Sequence, residues 1–282
     1  MNKKILKTGA FILATSMVAG MAYFANALVG NPVSRLTAQK KAEKYVAETY
    51  PDEGYITEDA RYSFKDGKYN ITVKNPDSMD KHFYLSYDFF GNLKYDSYEY
   101  YVVEKTNTVR RVRDEYRELT KQVLNSSSFP LDLDFGYGEL KIAGRDEFSM
   151  PLYMPNAMKG EDFQIDKLYD VRLLAKDMGL LKLYIYSDEI TVEKLAEALL
   201  KTKKAFDESG VPFYAVDIVL TEPKKEDGDN RSRKEIRAYS FLYEDIGEDE
   251  SYMARVEEQV KKTEEFIKRM DEMKKEEFIN AE

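Results

Sequence analysis

The chain of 282 residues contains no cysteine, no tryptophan and a single histidine. The lack of cysteine excludes disulfides, thiolate metal sites, a thiol nucleophile and a lipid-modified N-terminal cysteine. With His82 as the one imidazole, a zinc site would have to rest mainly on carboxylates, against the usual preference of that metal. Glycine is sparse, and no glycine-rich phosphate loop follows a strand in a strand–turn–helix setting. Basic residues are in the minority: 43 Lys and Arg stand against 52 Asp and Glu, for a net charge of −9. Such a surface argues against nucleic acid and against electrostatic attachment to anionic lipid. A composition of 43% hydrophobic and 34% charged residues is that of folded, well-solvated domains and not of a disordered chain.

Charge is absent altogether from Thr8 to Gly30, behind the basic head Lys3, Lys4 and Lys7. As a helix this run would reach roughly 34 Å at about 1.5 Å per residue, enough for a hydrocarbon core of about 30 Å. The expectation is a single-pass transmembrane helix over residues 8–30, with the N-terminus cytoplasmic and the body extracytoplasmic, and with the membrane as a partner. The alternative is a secretory signal, cut after Ala25-Asn26-Ala27 and before Leu28. Ser16 and Gly20 have the spacing of a small-residue helix contact, which abundant small residues explain equally well. An exported chain without cysteine suits a Gram-positive bacterial surface.

The body reads as two α+β domains, residues 31–125 and 126–282, behind an anchor or signal segment over 1–30. Asn31-Pro32 supplies an N-cap and a first-turn proline, and Ala38, Ala42, Tyr45, Val46 and Thr49 share one helical face up to Pro51. Four strands follow, rich in Tyr, Phe, Val and Ile, with hairpin signals at Asp66-Gly67 and Gly91-Asn92. A polar helix over 104–125 carries the stripe Val109, Val112, Tyr116, Leu119 and Val123, and "NSSSFP" reads as the linker. Beyond it come a strand in "LDLDFGYGELKIAG", a helix ending at Gly179, a strand in "LLKLYIYS", and a helix between Thr191 and Gly210. Two further strands and a final helix with a heptad-like rhythm, Met253, Val256, Val260, Thr263, Ile267 and Met270, complete a βαββα order of ferredoxin-like type.

No catalytic, cofactor-binding or metal-ligating residue can be assigned. Alternation in "KHFYLSYDFF" sets His82, Tyr84, Ser86 and Asp88 on one face and Phe83, Leu85, Tyr87 and Phe89 on the other. His82 and Ser86 would lie roughly 13 Å apart on that strand, too far for a base and its nucleophile. Glu226, Asp227 and Asp229 lack the spacing and closing glutamate of a calcium loop, and the acids of "YEDIGEDES" suit the start of a helix. Asp132 and Asp134 share a strand face and are the candidates for a carboxylate-dependent hydrolase, although an ordinary half-exposed strand has the same pattern. Arg110, Arg111 and Arg113 lie beside Glu115 and Glu118 at ion-pairing distances along a helix. Gly136-Tyr137-Gly138 is too short for a phosphate loop and marks a bend. The tyrosines between Tyr84 and Tyr101 are the leading surface candidate, because aromatic strand faces can grip peptide or sugar chains.

Residues 33–101 resemble a PepSY-type domain. The carriers are the small-residue helix, the hairpin Asp66-Gly67-Lys68-Tyr69, and Asp88-Phe89-Phe90-Gly91-Asn92-Leu93, in which Phe90 replaces the usual Thr or Ser. The stretch "GNPVSRLTAQKKAEKYVAETYPD", directly after an apolar span, is similar to the YfjL-like proteins of Gram-positive bacteria. These resemblances imply a membrane-tethered extracytoplasmic protein that binds proteins and regulates peptidases or wall-associated enzymes, with no catalytic residue to carry over. The expected function is therefore a non-catalytic binding or regulatory module for envelope proteins or peptidases. A hydrolase of cell-wall polymer is the alternative, and a structural spacer with the last helix as an oligomerisation seam is a third reading.

Overall fold

The computed structural model describes residues 3–143, 151–224 and 233–280. The chain divides into two compact units, residues 1–108 with 164–166, and residues 109–163 with 167–282.

The first unit opens with α1 (Lys3–Val29) and α2 (Pro32–Thr49). The two are separated at Gly30, whose φ of +79° suits only glycine, and a Cβ there would lie 2.6 Å from the Tyr62 ring. Asn31 caps α2 as expected, its Oδ1 accepting from the backbone N–H groups of Val33 and Ser34 at 2.7 and 3.3 Å. The strands are β1 (Ile56–Thr57), β2 (Arg61–Ser63), β3 (Lys68–Lys74), β4 (His82–Tyr87) and β5 (Leu93–Asp96). Their order is β1-β3-β4-β5, with β2 also paired to β3, and all these pairings are antiparallel. Gly67 (φ +63°) and Gly91 (φ +75°) turn the chain at the two hairpin signals. One face of the sheet, with Ile71, Val73, Phe83 and Leu85, is buried in a common core with Ala38, Ala42 and Val46 of α2. The small residues let the helix approach closely. Tyr69 joins hairpin to helix start: its buried hydroxyl accepts from Asn31 N–H at 2.6 Å and donates to Asn31 C=O at 3.1 Å.

Among the described residues no helix is long and apolar enough to cross a membrane. This corrects the transmembrane helix expected over residues 8–30, and with it the single-pass membrane location. Within Thr8–Gly30, Ala, Gly, Ser, Thr and Asn make up more than half of the residues and dilute Phe, Ile, Leu, Val and Met. The Ala25-Asn26-Ala27 tripeptide lies within continuous helix.

The second unit takes up α3 (Thr106–Leu124) from Val109 onward. It continues with β6 (Leu133–Leu140), α4 (Val171–Met178), β7 (Gly179–Tyr186), α5 (Val192–Ser209), β8 (Ala215–Thr221), β9 (Glu235–Leu242) and α6 (Tyr252–Asn280). The sheet order is β6-β7-β8-β9, with β7 and β8 parallel and the other pairs antiparallel. The βαββα order is present, but β7 and β8 are direct neighbours. A ferredoxin-like fold would split them around another strand, so the strand order is a different one. α5 has the boundaries its sequence signals imply: Thr191 Oγ1 accepts from Lys194 N–H at 3.3 Å, and Gly210 stands in the left-handed region at φ +65°. Gly179 differs, being extended as the first residue of β7. A Cβ there would meet Ala175 C=O at 2.6 Å.

Leu181, Leu183, Ile185, Val216, Ile218 and Leu220 point to one sheet face and share a core with Val112 and Tyr116 of α3, Leu199 and Phe206 of α5, and Val256 and Val260 of α6. Both edge strands are met by a threonine from a helix. Thr120 Oγ1 of α3 accepts from Gly138 N–H at 3.1 Å, and Thr263 Oγ1 of α6 accepts from Tyr239 N–H at 3.0 Å. Gly138 has to be glycine, since a Cβ would lie 2.4 Å from Thr120 Cγ2. The stripe expected as an oligomer seam on α6 is used within the chain through Val256, Val260 and Thr263, all buried.

Candidate functional site

The outer face of the first sheet is built by register. Asn70 of β3, Ser86 of β4 and Tyr95 of β5 lie side by side, and Thr72 lies opposite Tyr84. Beyond β5 the buried Ser97 extends the ladder with its side chain, its Oγ accepting from Tyr84 N–H at 2.8 Å and donating to Tyr84 C=O at 2.9 Å. This pins the start of a single π-helical turn, Glu99–Val103, beside β4. Such turns are frequent at functional sites. The turn buries Val102 in the core, leaves Tyr100 exposed and holds Tyr101 half-buried. Ring centroids are 5.8 Å apart for Tyr84–Tyr95, 5.5 Å for Tyr84–Tyr101 and 4.9 Å for Tyr100–Tyr101. Tyr95 and Tyr100 remain 45% and 47% exposed. Burial, together with a hydrogen bond to Tyr101, raises the Tyr84 hydroxyl above its ordinary pKa. Two half-buried rings, Tyr84 and Tyr101, and two exposed ones, Tyr95 and Tyr100, make an apolar surface that can also hydrogen-bond.

The remaining residues singled out in the sequence are dispersed. His82 is exposed at the start of β4, opposite Lys74. Ser86 is buried, and its Oγ donates to Asn70 Oδ1. Phe89, expected on the inner face with Leu85 and Tyr87, is 41% exposed because β4 ends at Tyr87. Asp88 instead closes the turn, its Oδ1 accepting from the N–H groups of Phe90 and Asn92 at 2.9 and 2.8 Å. Asp134 is 2.6 Å from Lys224 Nζ, and that contact together with a bond from Tyr186 holds the carboxyl below its usual range, which unsuits it as a proton donor. Asp132 lines a different cleft of about 310 Å³, with Asp188, Glu189 and Glu197. Arg111 donates to Lys167 C=O at 2.9 Å, and Arg113 to Leu140 C=O at 3.0 Å. Glu226, Asp227 and Asp229 lie outside the described residues.

A second aromatic face escaped the sequence reading. On the open side of the second sheet, Phe135 and Tyr137 of β6 and Tyr184 of β7 have centroids 5.4 Å (Phe135–Tyr137) and 6.4 Å (Phe135–Tyr184) apart. Its signal was the alternation of "DFGYGEL" against "LKLYIYS". Charges are laid between these rings. Glu139 Oε1 is 3.0 Å from both Lys141 Nζ and Lys182 Nζ, and Lys182 also lies 5.8 Å from the Tyr137 ring centre. Burial pulls the Glu139 carboxyl up, but the two lysines outweigh it and leave the group below its ordinary pKa. Asp217 is raised by burial, offset only in part by the N–H of Ser240 at 2.7 Å and by Lys182. The Ser240 bond sits at a bulge of β9 where Ser240 has φ +54°. Glu139 is thus paired with two lysines, whereas the burial of Asp217 is compensated only in part.

Against known proteins, residues 2–97 match the YfjL-like N-terminal domain and residues 115–254 match the YfjL-like C-terminal domain. The two matches run in tandem and cover most of the chain. No curated protein and no solved structure matches it.

Proposed function

Because the chain belongs to the YfjL-like family, with the N-terminal and C-terminal domains of that family in tandem, we propose that it is a non-catalytic binding module that holds a protein partner on the outer tyrosine face of its first unit. The observation that carries this reading is the cluster of Tyr84, Tyr95, Tyr100 and Tyr101, two of whose rings stay about half exposed. Tyrosine rings are effective anchors at interfaces, since they offer large contact area, little side-chain freedom to lose and a hydroxyl for the rim. The four rings offer apolar surface beside a charge, Lys74, that is already paired with Glu58, which favours a polypeptide with apolar side chains over a charged polymer. The PepSY-type likeness of residues 33–101 points the same way. A small-residue helix beneath an antiparallel meander is the arrangement that resemblance implies, and its usual role is to bind and regulate peptidases.

The test is photo-crosslinking from position 100 of the full chain in its native host, with mass spectrometry of the captured protein. A peptidase or another discrete protein is expected, with capture falling at least tenfold in Tyr95→Ser/Tyr84→Ser. Failure to crosslink any protein, or capture that ignores the substitutions, would remove the proposal.

A further inference from the structure

The second unit contains a cleft of about 700 Å³ that neither the tyrosine face nor the paired charges use. This is the size range of sites that enclose small ligands or chain ends. Its apolar side is formed by Phe206 and Val211, both buried, by Phe213, and by Leu173, which stays 59% exposed. Arg172 and Lys176, one turn apart on α4, stand at the same cleft. Neither has a carboxylate within ion-pair distance among the described residues. Arg172 donates through Nε to Gly210 C=O at 3.1 Å, and its terminal guanidinium nitrogens have no partner among the described residues. Two of the acids that line the cleft are engaged. Asp170 accepts from the N–H groups of Arg172 and Leu173 at 3.0 and 3.2 Å, and Asp207 accepts from the Tyr243 hydroxyl at 2.8 Å. Glu244 is the remaining acid.

The cleft does not end at Glu244. A second cleft of about 610 Å³ shares Tyr214, Leu242 and Glu244 with it and runs on to Tyr153, Arg255 and Lys262. The two clefts adjoin at these three residues, and the first has an apolar side with Arg172 and Lys176 at its α4 end.

We propose that these adjoining clefts take the C-terminal end of a polypeptide, with its last side chain, an apolar one, against Phe206, Val211 and Leu173, its free carboxylate at Arg172 and Lys176, and the preceding residues running past Tyr214 and Leu242. A carboxylate is the group that two cations in a chain of net charge −9 are suited to single out. The adjoining of the two clefts favours a chain over a compact acid. The inference stands independently of the tyrosine face, since every residue it uses is in the second unit.

The experiment probes the full chain with a synthetic array of hexapeptides varied at their last three residues, each as free acid and as amide, with octanoate as a separate probe by calorimetry. Peptides ending in Leu, Ile, Phe or Met are expected to bind as acids at least tenfold tighter than as amides. Lys176→Gln, which breaks no hydrogen bond, should weaken that binding at least fivefold, and Leu173→Asp should abolish it. Tyr95→Ser/Tyr84→Ser should leave it unchanged, which separates this inference from the one above. Equal binding of acids and amides, no binding peptide in the array, octanoate binding in place of peptides, or indifference to Lys176→Gln would each overturn it.

Discussion

Replacing Gly138 by alanine probes how the second unit is assembled. Gly138 lies on edge strand β6, where its N–H donates to Thr120 Oγ1 on α3 at 3.1 Å. An added methyl would stand 2.4 Å from Thr120 Cγ2, 2.8 Å from Oγ1 and 2.9 Å from Cβ. Thr120 is completely buried, so it has no solvent to move into. Overpacking of this kind costs about 1–3 kcal/mol. Loss of the buried hydrogen bond as the helix is pushed away adds about 1 kcal/mol. Alanine restricts the unfolded chain and returns about 0.4–1 kcal/mol, because Gly138 has no positive φ that alanine must resist. The net expectation is a loss of about 2–3 kcal/mol, or a fall of roughly 5–10 °C in Tm for a unit of this size. Scanning calorimetry of the full chain measures it. Thr120→Ala removes the atoms at 2.4 and 2.8 Å, so Gly138→Ala with Thr120→Ala should be more stable than the sum of the single variants by about 1–2 kcal/mol. A Gly138→Ala variant within about 0.5 kcal/mol of the parent, or strict additivity, would refute the docking of α3 against β6 through this contact.

Tyr69→Phe should destabilise the first unit by about 1–3 kcal/mol in urea titrations, because it strands the Asn31 N–H that its hydroxyl now satisfies at 2.6 Å. Asp217→Asn tests the raised carboxyl of the second sheet. A folded pKa raised by burial gives stability that is present below the unfolded carboxylate pKa and lost as pH rises through the folded value. The variant should therefore be the more stable protein at pH 7, with an advantage that shrinks as pH falls through the carboxylate range. Glu139→Gln should show the opposite sign. Its folded pKa is lowered by Lys141 and Lys182 in spite of burial, so the variant should be less stable at pH 7 and converge with the parent in acid. Chemical denaturation at pH 4 and pH 7 distinguishes both from a pH-independent packing effect.

Several local decisions could be read directly. The start of α2 follows from Asn31-Pro32 and the span of α5 from Thr191 and Gly210, because capping acts within three or four residues. The division of β4 into an inner and an outer face follows from a pleat of period two, and it held as far as Tyr87, where the strand stops. Tertiary structure decided the rest. The stripe Val109, Val112, Tyr116 and Val123 shows that α3 has a face to bury, and only the fold shows that it shares a core with the second sheet. The pattern βαββα leaves open whether β7 and β8 touch, since strand order depends on which edges pair across long loops. The apolar run near the start suggested a membrane span, an expectation the structure corrects. The candidate sites follow the same rule. Tyr84, Tyr95 and Tyr100 were visible as a tyrosine-rich run, but their meeting on one face needed the β4–β5 register and the turn held by Ser97. The cleft at Arg172, Phe206 and Tyr214 left no signal in the chain, because its walls come from elements tens of residues apart that are brought together only when the sheet and its helices bury their apolar faces.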